Sequence, residues 1–342
     1  MKKNIPPSME QWKRLYDVAL NIKELKPWDY LWDTELITLM LPGKKEPTYI
    51  SVMGRNGECY GIGVYPGYES LQGLYRLMES GDEAMQAMFY QNCLMCYLGD
   101  REELSPDERE IIQSLGIKFR GKNNWIYFRA IKEGYYPWMI NAGQAETLTE
   151  ALENAFMAFR ALAEKKIKVD FDEGETLLRQ YSKEQKLWLN MAVPSLPFKK
   201  PHYEIKFTDE MLPRRLKNKS KQNMAFEMDI LYIPEPIQNK PNETPYFPRL
   251  FLVADHATGE LIYQNILTKS KKNADAVVEW LIQYIGDNKK PRKLFVRDKY
   301  FLDYIQSLCE QIDLPVVADE EMPYLNDIAQ QMAQMTLDEP ET

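Results

Sequence analysis

The alternation of apolar and polar positions is sharpest in the C-terminal half of the chain. "AFEMDILYIPEPI" (225–237), "RLFLVAD" (249–255) and "ELIYQNIL" (260–267) are short apolar runs. The loop "QNKPNETP" and the turn "HATG" separate them. Runs of this length, bounded by Pro, Asn and Gly, predict strands. The spacing then changes. In "NADAVVEWLIQYIGDN" apolar residues recur every three or four positions, the helical period, and Pro291 precedes a further strand, "RKLFVRD". "KYFLDYIQSLCEQIDL" predicts a second helix, "PVVA" a short strand, and residues from about 322 to 335 a last helix. The predicted order is β-β-β-α-β-α-β-α.

The N-terminal half reads differently. Residues 8–25 place Trp12, Leu15, Tyr16, Ala19, Leu20 and Ile22 at helical spacing, with Ser8 as N-cap and Pro27 as the stop. "LITLML" (36–41), "TYISVMG" (48–54) and "CYGIGVYPG" (59–67) predict strands. Asn56-Gly57 marks a hairpin turn between the last two. A helix is predicted over 68–79. Residues 83–98 fit either a helix or a helix running into a strand. Ser105, Pro106 and Glu108 form a capping-box start. "NWIYFRAIKEGYYPWMI" predicts one or two aromatic strands, and "TLTEALENAFMAFRALAEKKI" an amphipathic helix. This half is therefore expected to be an α+β domain with an antiparallel sheet.

The expected organisation is an α+β recognition or interaction domain over 1–170 and a linker over 171–202. The linker would hold a short helix at 173–189. An α/β domain with a mixed sheet would follow over 203–336, with an acidic tail at 337–342. At 342 residues, 44% hydrophobic and 12% aromatic, the chain is long enough for two globular cores. Its net charge of −8 argues against a protein that coats nucleic acid through overall charge. No apolar run reaches 18 residues, and the first residues lack the apolar stretch of a signal peptide, so no membrane partner is expected. Four scattered cysteines (Cys59, Cys93, Cys96, Cys309) suit a reducing cytoplasm rather than a disulfide framework.

Candidate chemistry sits on the predicted strands and just after them. Asp229 lies in "FEMDIL", and Asp298 ends "KLFVRD". Glu320 and Glu321 follow the last strand. Carboxylates of this kind could hold Mg²⁺ or Mn²⁺ for two-metal phosphodiester chemistry where a fold brings them together. Against this, an Asp after an apolar strand commonly caps the next helix, and Asp298 precedes one. Asp255-His256 opens the "DHATG" turn, where an Asx-turn closed by Gly259 is the favoured role.

Arg214, Arg215, Lys217, Lys219 and Lys221, with Lys199, Lys200 and His202 upstream, form the one basic island. Phosphate contacts or a solvated face both explain it. Cys93-x-x-Cys96 has metal spacing but no second pair, so two buried inert thiols are favoured. Gly61, Gly63 and Gly67 do not make a dinucleotide fingerprint; close packing and a turn into the next helix account for them. The aromatic residues Trp28, Tyr30, Trp32, Trp125, Tyr127, Tyr135, Tyr136 and Trp138 suit core packing better than base stacking.

A meander of three strands followed by αβαβα resembles the ribonuclease H-like fold shared by integrases and transposases, over roughly 203–335. The resemblance implies catalytic acids at Asp229 and Asp298. It places the third at Glu320 or Glu321, closer to Asp298 than is usual in integrases. Over the whole chain, "PWDYLWDTELI", "YISVMG", "YGIGVYPG" and "PYFPRLFLVADHATGELI" resemble an uncharacterised bacterial family built from domains of unknown function. Two functions follow as expectations. The first is a non-catalytic binding protein with a degenerate ribonuclease H-like domain, its partner a nucleic acid or another protein. The alternative is a divalent-metal nuclease using the named acids, with residues 214–221 on phosphates.

Overall fold

The computed structural model describes residues 5–81, 84–195, 205, 207, 209–240, 243–318 and 322–337. The chain divides into two compact units. The first comprises residues 1–79, 90–133 and 137–200, and the second comprises 80–89, 134–136 and 201–342.

In chain order the first part of the sequence forms α1 (Met9–Leu25), β1 (Ile37–Met40), β2 (Thr48–Met53), β3 (Gly61–Pro66), α2 (Gly67–Glu79), α3 (Ala84–Met88), β4 (Cys93–Gly99), α4 (Pro106–Ser114), β5 (Trp125–Ile131), α5 (Ala142–Ala163), β6 (Glu175–Ser182) and β7 (Leu187–Pro194). The seven strands make one sheet, ordered β5-β4-β3-β2-β1-β6-β7. Every neighbouring pair is antiparallel except β1 and β6, which run parallel. The expected antiparallel sheet is thus a mixed one.

Strand alternation sorts the side chains of this sheet. Ile50 and Val52 join Leu15, Ile22, Ala151, Ala155 and Phe159, so α1 and α5 cover that face. Tyr49 points the other way, to Leu71 and Leu74 of α2. Ser8 caps α1 and Ser105 caps α4, each in a capping box, with Gln11 and Glu108 as the reciprocal partners. The hairpin between β2 and β3 forms, but its loop spans 54–60, with Gly54 and Gly57 both at positive φ. Residues 84–99 hold a helix and then a strand, the second of the two expected alternatives.

One expectation is overturned. Residues 173–189 do not form a short helix in a linker; they supply β6 and most of β7. Residues 177–180 extend the sheet beside β1, and the turn at 183–186 carries Lys186 at φ 51°. A left-handed turn residue that is not Gly or Asn gives no sequence signal.

The second unit contains α3, then α6 (Leu212–Lys217), β8 (Ala225–Tyr232), β9 (Arg249–Asp255), β10 (Leu261–Leu267), α7 (Asn273–Asp287), β11 (Lys293–Val296), α8 (Lys299–Gln311), β12 (Val316–Ala318) and α9 (Pro323–Leu337). From β8 onward the element order is the one the apolar pattern predicts. The sheet runs β10-β9-β8-β11-β12, with β8 central. β9 and β10 pair antiparallel, while β11 and β12 run parallel to β8. Phe226, Met228 and Ile230 face Val277, Leu281, Ile285, Phe301, Ile305 and Leu308. Leu231 faces Met322 and Leu325 at the start of α9. Gln86 of α3 exchanges two hydrogen bonds with the backbone of Tyr232, so part of the N-terminal sequence secures the end of β8.

Candidate functional site

Asp229 lies on the odd-numbered face of β8, the face that α9 covers. It is 2% exposed and its neighbour Arg297 is 6% exposed. Arg297 follows the last residue of β11, which pairs in register with β8, so the two side chains meet across adjoining strands. The Arg297 Nε donates to Asp229 Oδ2 at 2.7 Å. The Ile230 amide donates to Oδ1 at 2.8 Å. Arg297 in turn donates from Nη1 to Asn326 of α9. A buried carboxylate is costly unless paired and hydrogen-bonded. Asp229 is both.

Glu227, two positions earlier on the same face, is fully buried. Its Oε1 lies 2.9 Å from His256 Nδ1, and its Oε2 accepts from the Leu325 amide in the first turn of α9 at 3.2 Å. A carboxylate at that position satisfies a helix N-terminal amide and complements the helix dipole. His256 stacks on Phe295 with ring centroids 4.0 Å apart. Sequence reasoning missed both Glu227 and Arg297. The signal available was an acid within an otherwise apolar run, which demands a partner.

Asp298 is the N-cap of α8: its Oδ1 accepts from the Phe301 amide at 2.7 Å. Asp229 thus lies on β8, while Asp298 lies two residues past the end of the adjoining β11, and the two bond to different groups. Asp255 makes the expected turn. Its Oδ1 accepts from the amides of Ala257 and Thr258 and from the Thr258 hydroxyl, and Gly259 closes the loop at φ +73°. Glu320 and Glu321 lie outside the described residues. Among the described residues no group of three or more His, Cys, Asp or Glu side chains could hold a metal ion.

The basic island is partly committed to the fold. Arg215 pairs with Asp209, Lys219 Nζ donates to the Gly286 carbonyl, and Lys221 lies 3.7 Å from Asp313. Arg214 and Lys217 are exposed on α6. Lys199, Lys200 and His202 lie outside the described residues. A lysine with no sequence signal matters more locally. Lys290 is 1% exposed and its Nζ donates to the carbonyls of Lys217, Ile312 and Asp313, joining the ends of α6 and α8. Burial holds its pKa below the usual lysine value, with the neighbouring Lys221 acting in the same direction.

The remaining motifs resolve as structure. Cys93 and Cys96 are three apart on β4, so they point to opposite faces. They cannot share an ion, and burial pushes both thiols up to about 12. At the start of α2 the Glu46 carboxylate accepts from the Tyr68 amide at 3.0 Å, occupying the place where a phosphate would sit. A Cβ on Gly61 would come 3.1 Å from the Cys96 carbonyl, so close strand packing explains that glycine. Trp28 and Tyr127 are buried, and Trp125 packs on Phe119. Trp32 and Tyr136 remain exposed. No described helix is long and apolar enough to cross a membrane.

Residues 12–179 match the family model of a domain of unknown function, DUF7309, and residues 212–333 match that of a second, DUF6930. No curated protein matches the chain. The chain thus carries two domains of unknown function in a two-domain arrangement.

Proposed function

We propose that this chain is a non-catalytic binding protein whose C-terminal unit has a degenerate ribonuclease H-like core. The strand order β10-β9-β8-β11-β12, with two antiparallel and two parallel pairings, supports that reading of the fold. The observation that carries the functional part is the buried bond between Arg297 Nε and Asp229 Oδ2 at 2.7 Å. A guanidinium already neutralises the carboxylate that a Mg²⁺ or Mn²⁺ site would use. A divalent ion there would have to expel a cation fixed by α9, because two positive groups cannot share one buried acid without mutual repulsion. Asp298 is spent on a helix cap and Glu227 on a helix N-terminus. Among the described residues the donor set therefore does not favour a divalent ion. The N-terminal α+β unit serves recognition, and the partner is a protein rather than a nucleic acid. Three of the five basic residues at 214–221 are already engaged within the chain.

The test uses the full chain with millimolar Mn²⁺ and labelled single- and double-stranded DNA and RNA. The expected result is no cleavage and no metal-dependent rise in melting temperature, since a ligand that binds only the folded state must raise it. Mn²⁺-dependent cleavage that disappears in Asp229→Asn plus Asp298→Asn would overturn the reading in favour of the nuclease.

A further inference from the structure

Among the described residues the two sheets have four edge strands, and three of them are blunted. The outer side of β5 is bridged by Trp138, which exchanges backbone hydrogen bonds of 2.8 and 3.0 Å with Ala130. β10 is broken by a register shift between Leu261 and Tyr263. β12 is three residues long. These are the devices by which proteins prevent edge-to-edge pairing. The fourth edge, β7, has none of them. It is eight residues long and pairs with β6 without a register break, from Leu187↔Ser182 to Pro194↔Glu175. It carries no charged side chain, and its single proline is its last residue. Among the described residues no backbone hydrogen bond reaches its outer side.

We propose that β7 is a self-association edge, at which a second copy of this chain pairs its own β7 in the antiparallel sense. The resulting contact is two-fold and continues the seven-stranded sheet from one copy into the other. Two features select a second copy as the occupant. A two-fold axis normal to the sheet keeps each face on its own side. Leu187, Leu189, Met191 and Val193, which alternate along one face, then meet their own counterparts with no charge opposed. The charges lie beyond the strand ends and are complementary. The turn at one end carries exposed Lys183 and Lys186, with Glu184 between them. The loop at the other end carries exposed Asp170, Asp172 and Glu173 next to β6, with Lys165, Lys166 and Lys168 farther back toward α5 and Lys166 paired there with Glu164. Neither Lys183 nor Lys186 has an ion-pair partner among the described residues. Antiparallel pairing sets the basic turn of each copy beside the acidic loop of the other, twice per dimer. An edge contact of this kind is small, so the dimer is weak and reversible.

Sedimentation equilibrium of the full chain over a concentration series reads this directly. The expected result is a reversible monomer–dimer equilibrium. Lys183→Glu with Lys186→Glu should weaken it by about tenfold or more, because four attractive contacts become repulsive. Adding Asp172→Lys and Glu173→Lys to that variant should restore it. Leu187→Lys, at a position 45% exposed, should abolish it while leaving the circular dichroism and melting temperature unchanged. A chain that stays monomeric up to about 1 mM, or a dimer indifferent to both Leu187→Lys and the charge reversal, would overturn the proposal.

Discussion

β7 and β8 are both eight residues long, and their compositions point the wrong way. "LWLNMAVP" has no charge, yet none of its residues is buried. "AFEMDILY" has two acids, yet every residue is buried. The difference is position in the sheet. β7 has one neighbour, whereas β8 has a strand on each side and a helical layer on each face. Burial follows from topology, and side-chain chemistry adapts to it. Acids persist in a buried strand only where partners are built around them, here Arg297, His256 and the Leu325 amide. An uncharged strand at an edge has the opposite problem: its backbone is left for another strand to use.

The largest effect expected from this contrast is at Arg297. Arg297→Met leaves Asp229 buried without its cation and should cost about 3–5 kcal/mol of unfolding free energy in urea. A loss below about 1 kcal/mol would mean that the pair is unimportant. A matched pair of truncations sharpens the comparison. Met228→Ala in β8, where the side chain is fully buried, should cost about 2–5 kcal/mol. Met191→Ala in half-buried β7 should cost less than about 1 kcal/mol. Equal losses would remove the distinction between the strands. Asp298→Ala, which removes the α8 cap, should cost about 1 kcal/mol, less than the Met228 truncation. A much larger loss would give that residue a role beyond capping.

Much of the second unit was legible because its elements announce themselves locally. The apolar runs of β8, β9 and β11 are bounded by Pro, Gly and Asp, and α7 and α8 keep the helical period. Asp298 as a cap and Asp255 as a turn residue were also readable, since both act on amides within three positions. The neighbours of the β8 acids were not. His256, Arg297 and Leu325 lie far along the chain and are brought in by pairing and by α9. β6 and β7 were misread for a different reason. The turn between them has no Gly, Asn or Pro, so nothing in "QYSKEQKLW" breaks a helical reading.

On our proposal Asp229 serves Arg297 rather than a metal. A double-mutant cycle over Asp229→Leu and Arg297→Met, measured by urea unfolding, tests it most directly. Each single variant should lose about 3–5 kcal/mol, and the double variant should return to within about 1 kcal/mol of the wild type, since an apolar pair replaces the ion pair without stranding a charge. Losses that simply add, or an Asp229→Leu variant as stable as the wild type, would contradict the account.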